Sequence, residues 1–138
     1  MKKAFFILAM AAVLAAAIPA LAVPNLVGTW EGPVTEVKGT GEVDNFPVIL
    51  VVTGQTGDQF YGNLTAPGSD DAYQVSGRIM SSLEVLMVMV KTAPATGSVV
   101  HFKGKFLSSP PRIQGTFLSI WEAGPSSSTG KVTFRKQP

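Results

Sequence analysis

Acid–base, nucleophilic and metal chemistry need particular side chains in partnership, and this chain holds few of them. His101 is the only histidine, and there is no cysteine. One imidazole cannot make a two-histidine metal site, and no serine and carboxylate stand with it in a readable nucleophile–base–acid pattern. Lys103 and Lys105 follow it at two-residue spacing, which puts His101 on the wet face of a strand. Asp70-Asp71, after Pro67-Gly68-Ser69, is a carboxylate pair. Calcium takes about six or more oxygens, so a solvated turn is the expected role of this pair. The other acids stand mostly beside turns, and no spacing among them favours a general acid working with a general base. Asn63-Leu64-Thr65 matches the glycosylation sequon by chance in a chain with a bacterial-type leader. The chain is therefore expected to be no enzyme, with no cofactor and no bound metal.

If the chemistry is sparse, the architecture must supply the function. Lys2 and Lys3 form a positive start, Ala4–Ile18 is an unbroken apolar run, Pro19 breaks it, and Ala20-Leu21-Ala22 offers small residues for cleavage. That layout is a secretory signal peptide, residues 1–22, and the run is short for a membrane span of roughly 20 residues. Removing 22 of the 138 residues leaves 116, residues 23–138, a single-domain length. Lys2 and Lys3 leave with the leader, so the 11 basic residues fall to nine against nine acids. A neutral domain lacks the basic footprint of a nucleic-acid binder. Without cysteine there is no lipid anchor at the cleavage point and no disulfide, so stability must come from burial and hydrogen bonding. The expected location is the periplasm or the extracellular medium, with no membrane-spanning segment after cleavage.

Beyond Pro24 the recurring signal is the short β-rich run bounded by Gly, Pro, Asn, Asp or Ser. Eight such runs are read: Leu26–Thr35, Phe46–Thr53, Gln59–Thr65, Ala72–Met80, Leu83–Lys91, Ser98–Leu107, Arg112–Glu122 and Thr129–Lys136. Short connections, such as Gly54–Asp58 and Ser81-Ser82, make sequence neighbours antiparallel. Closing eight strands into an up-and-down barrel removes both exposed edges. An apolar-x-Gly-x-apolar pattern recurs around Gly32, Gly62, Gly77, Gly104 and Gly115, which places each glycine on the apolar face. Glycines in that phase suit a tightly coiled sheet or space left for a ligand. Val100, Phe102 and Phe106 oppose His101, Lys103 and Lys105, so the greasy face turns inward and the barrel is read as soluble rather than membrane-embedded. Phe46–Val52 and Leu83–Val90 break the rule, being apolar on both faces apart from Glu84. Leu86, Val88 and Val90 are accordingly expected at an interface, for which a covering loop or a second copy of the chain is required.

Gly28-Thr29-Trp30 at the start of an eight-strand meander resembles the opening of the calycin superfamily, the lipocalins and avidin-like proteins. Leu118-Ser119-Ile120-Trp121, a Ser/Thr-rich loop and Val132-Thr133-Phe134-Arg135 are similar to the avidin ending. The resemblance implies an all-β, eight-stranded antiparallel barrel that encloses a ligand or binds proteins. It also implies a cation packed on the Trp30 ring where the first and last strands meet. Alternation puts Lys136 on the inner face, whereas the better stacking of guanidinium on indole favours Arg135. Biotin binding does not carry over: only Trp30 and Trp121 remain as tryptophans of the mature chain, and the last strands hold no Asp. The lipocalin Thr-Asp-Tyr motif is missing too. The first functional expectation is a binding protein for a small apolar molecule, with Trp30, Phe60, Tyr73, Phe102 and Phe117 facing the ligand inside the barrel. The second is a protein-interaction module of the cell envelope or an exported inhibitor, acting through the outer face. The two are separated by whether the inner glycines border a void or packed aromatics.

Overall fold

The computed structural model describes residues 22–120 and 127–138. The expected leader, apart from Ala22, and Trp121 lie outside these residues. Eight antiparallel strands follow one another: β1 (Gly28–Lys38), β2 (Val43–Thr56), β3 (Gln59–Thr65), β4 (Ala72–Ile79), β5 (Glu84–Ala93), β6 (Val99–Ser108), β7 (Pro111–Ile120) and β8 (Ser127–Lys136). Each pairs with its sequence neighbour, and β1 closes on β8, so the sheet is a complete eight-stranded up-and-down barrel. Among the described residues no helix is long and apolar enough to cross a membrane.

Alternation of small runs of apolar and polar residues is what sorts the two faces. Along β3 the pattern is buried at Phe60, Gly62 and Leu64 and exposed at Gln59, Tyr61, Asn63 and Thr65. Val75 and Ile79 on β4, Val85, Met87 and Met89 on β5, and Phe102 and Phe106 on β6 continue the inner face. The expected barrel, with its apolar side inside, is the observed one.

The inner glycines answer the question of void or packing. A β-carbon on Gly32 would run into the backbone of Thr133 on β8, and one on Gly62 into the backbone of Val51 on β2. At both places neighbouring strands approach too closely for any side chain, which is what tight coiling of a sheet demands. Gly77 lies under the ring of Phe60, and Gly104 and Gly130 meet both a neighbouring backbone carbonyl, of Gln114 and of Thr35, and the rings of Phe102 and Phe117. The glycines border packed backbone and aromatics. Any cavity must come from elsewhere.

The strand bounds depart furthest from the sequence expectation in β1 and β2. Strand β1 starts two residues later than expected and runs on to Lys38, and β2 runs from Val43 to Thr56 through an irregularity between Val52 and Gly54. Gly54, expected in the loop, stays in the sheet because the Tyr61 ring lies across it. The β4–β5 turn is closed by Leu83 N–H donating to Met80 O at 2.9 Å, with Leu83 itself in the left-handed region at φ 68°.

Candidate ligand chamber at the open end

The barrel has two unlike ends. At the first, where β1 begins and β8 finishes, the chain before β1 folds across the opening. Leu26 is fully buried there, and its carbonyl accepts the Trp30 Nε1–H at 2.8 Å. Gln55 ties the segment down. Its Oε1 accepts Leu26 N–H at 2.7 Å, and its Nε2 donates to Pro24 O at 2.9 Å and Gly57 O at 3.0 Å. Trp30, fully buried, packs edge-on against Phe106 with ring centroids 6.4 Å apart. Ile79, Val85 and Ile113 fill the remaining space, all fully buried. The cation over the indole is Lys136, whose Nζ lies 5.7 Å from the ring centroid. Arg135 points outward, opposite Glu31 and Arg112 in the register, so the preference for arginine is corrected. Gln137 N–H still donates to Thr29 O at 2.9 Å, so the ladder extends past Lys136 and alternation does not lapse.

At the opposite end the interior opens. A chamber of about 70 Å³ is lined by Phe46, Tyr73, Phe102, Phe117 and Phe134, with Leu64, Met89, Val100 and Val132 between them. Its floor is the edge-to-face pair Phe102–Phe134, centroids 6.0 Å apart. A single water needs at least about 10–15 Å³ of such space, so the chamber suits one ring or a short alkyl chain. Above it lies a vestibule of about 570 Å³ with a polar lining that includes Glu36, Lys38, Asp44, Asp71, Lys91, Ser98 and Ser119. Glu36, Phe46, Tyr73 and Ser119 line both spaces and so mark their junction.

Ion pairs organise the rim. Lys91 Nζ lies 3.0 Å from Asp71, and Lys38 Nζ lies 2.8 Å from Asp44 and 3.9 Å from Glu42. The Lys91 bond holds the Asp71 carboxyl below its usual range against the opposing effect of burial. Burial pushes the Tyr73 phenol above its usual range, and the negative charges of Asp71 and Glu36 add to that. The Thr96 and Ser98 hydroxyls lie 2.8 Å apart. Among the described residues no group of three His, Cys, Asp or Glu could hold a metal.

Of the five aromatics expected at a ligand, the structure brings Tyr73, Phe102 and Phe117 together around the chamber. Trp30 and Phe60 are buried but line neither space; Trp30 belongs to the closed end and Phe60 covers Gly77. Sequence reasoning passed over Phe46, Phe134 and Glu36. The first two follow from their inward phase on β2 and β8. Glu36 carried a signal as well: it stands in phase with Trp30 and Val34, so it breaks an apolar inner face with a charge.

The outer face of β5 is only partly as expected. Val85, Met87 and Met89 point in, Leu86 is half-buried beside Lys103, and Val88 and Val90 are 41% and 45% exposed. Leu118 and Ile120 on β7 are similarly exposed and flank the same stretch of β6. No described loop covers this patch.

No family model and no curated protein matches the chain. Among solved structures it is similar to a redesigned β-barrel, at 18% identity over 82% of this chain and 92% of that one, with a TM-score of 0.53. At that identity the likeness shows the fold, an eight-stranded antiparallel β-barrel.

Proposed function

We propose that this chain is an exported, calycin-like binding barrel, without enzymatic activity, that takes a small apolar ligand into the chamber between Phe102, Phe117 and Phe134. The observation that supports this reading is the asymmetry of the interior: plugged and packed around Trp30 at one end, hollow and aromatic at the other. Barrels of eight strands either fill their interior with side chains or hold one small ligand, and here the two regimes share one barrel. The leader read in residues 1–22 supports an address in the periplasm or outside the cell, and the cysteine-free domain relies on burial and hydrogen bonding in place of disulfides. The test is titration of the purified protein with the neutral dye N-phenyl-1-naphthylamine, whose single phenyl ring matches the chamber while its naphthyl group is left to the vestibule. Saturable, single-site fluorescence enhancement is expected, and Val100→Trp, which fills the chamber, should abolish it. Enhancement that never saturates, or that survives Val100→Trp, would count against the chamber as the site.

A second reading keeps the outer face as the functional surface, in an envelope assembly or an exported inhibitor. Val88, Val90, Leu118 and Ile120 support it, since large exposed apolar patches mark interaction sites. A second copy of the chain is the most economical partner. Light scattering separates the readings: Val88→Lys should lower the apparent mass if this face joins copies, and a wild-type monomer at high concentration ends that version.

A further inference from the structure

The charges of the barrel are not spread evenly. Among the described residues the open end carries five carboxylates, Glu36, Glu42, Asp44, Asp70 and Asp71, and two lysines, Lys38 and Lys91. Both lysines are committed to neighbouring carboxylates, at 2.8 Å and 3.0 Å. None of the other described lysines or arginines lines the chamber or the vestibule. A mouth of one sign, walled by low-dielectric protein, concentrates ions of the opposite sign.

Within that mouth Glu36 is singular. It is the one charged residue that lines the chamber as well as the vestibule, so it stands where an apolar group below would meet a polar group above. Among the described residues no salt bridge or side-chain hydrogen bond engages it. Its register partner on β2 is Asp44, so two like charges face each other across the strands, an arrangement that costs stability. Lys38 makes its contact with Asp44 and reaches Glu36 only through a weaker charge attraction. Phe46 and Tyr73 line the junction as well, and aromatic faces attract cations.

From this we infer that the ligand is a small hydrophobic cation, an arylalkyl- or alkylammonium, held with its apolar end in the chamber and its ammonium on the Glu36 carboxylate. The inference rests on the chamber being the binding site and adds the chemical class of its occupant. Glu36 accepts hydrogen bonds from the ammonium, and Phe102, Phe117 and Phe134 enclose the ring. A carboxylate ligand of the same shape would set its charge against Glu36 within the acidic mouth.

Three probes of similar size test it: 2-phenylethylammonium, 2-phenylethanol and 3-phenylpropionate, titrated calorimetrically into the purified protein at low and high salt. The ammonium should bind at least about tenfold more tightly than the alcohol, as a charge-assisted hydrogen bond does, with the carboxylate weakest. Glu36→Gln should cost the ammonium at least about tenfold and the alcohol distinctly less, and an unchanged denaturant midpoint shows that the variant is folded. Added salt should narrow the gap between ammonium and alcohol. The inference is overturned if the carboxylate binds as well as the ammonium, or if Glu36→Gln leaves the ammonium unaffected. It is overturned alone if the naphthylamine dye fills the chamber but the ammonium has no advantage over the alcohol. Failure of dye and probes together removes the chamber as a site.

Discussion

The two ends of this barrel are built from the same eight strands with the same alternation, yet one is solid and the other hollow. At the solid end the largest side chains meet a plug: Trp30 donates to the Leu26 carbonyl, Phe106 meets it edge-on, and Gln55 fixes the segment that carries Leu26. At the hollow end the inward residues are no smaller, since Phe46, Phe102, Phe117 and Phe134 all line the space. What is absent there among the described residues is a segment laid across the opening. Phe102 and Phe134 are still as buried as Trp30, and it is Phe46, Tyr73 and Phe117 that keep partly open surface at the uncapped end.

Three perturbations sharpen or break this contrast. The largest effect belongs to the plugged end. Trp30→Ala should cost about 3–5 kcal/mol in denaturant unfolding, because a fully enclosed ring leaves a cavity that the rigid walls cannot collapse. Phe117→Ala should cost distinctly less, since Phe117 already borders open space. Equal costs would show that the two ends are packed alike. A nearly neutral Trp30→Ala would remove Trp30 from the core and, with it, the meaning of the Gly-x-Trp opening.

Next comes the seam between β1 and β8. Lys136→Ala should lower stability by about 0.5–1 kcal/mol through loss of the ammonium near the indole face, at a partly wet site. Arg135→Ala, on the outer face, should change stability by less than about 0.5 kcal/mol. The reverse order in matched unfolding curves would show that the cation on Trp30 is the guanidinium after all.

The smallest effect is at the mouth and depends on pH. Asp71 is held below its usual range in the folded protein, chiefly by Lys91. Its contribution is therefore present above the ordinary aspartate range and lost as pH falls through the depressed folded value. For a partly exposed pair it should amount to no more than about 1 kcal/mol. Melting temperatures of wild type and Asp71→Asn should differ near pH 7 and converge in strong acid. A gap that widens on acidification would contradict the sign.

The sequence by itself determined how many strands there are, in what order they pair and, outside the doubly apolar β2 and β5, which face of each is buried. Period-two alternation and short turns act between residues close in the chain, so Phe60 and Leu64, or Phe102 and Phe106, report their side of the sheet without help. The inner glycines were legible in the same way. The seam was not settled there: alternation pointed to Lys136 while stacking chemistry favoured Arg135, and the structure decided for Lys136, where Gln137 N–H continues the ladder to Thr29 O. Depth along the barrel axis was decided only by the tertiary structure. Inward phase is common to Trp30 and Glu36 on one strand, but one lies under the plug and the other at the mouth. That difference comes from the register between strands and from Leu26 reaching Gln55, 29 residues away. Contacts at that separation leave no periodic trace. The chamber, its acidic mouth and the split among the five expected aromatics all arise from closure, where stagger of the strands sets what each layer of side chains meets.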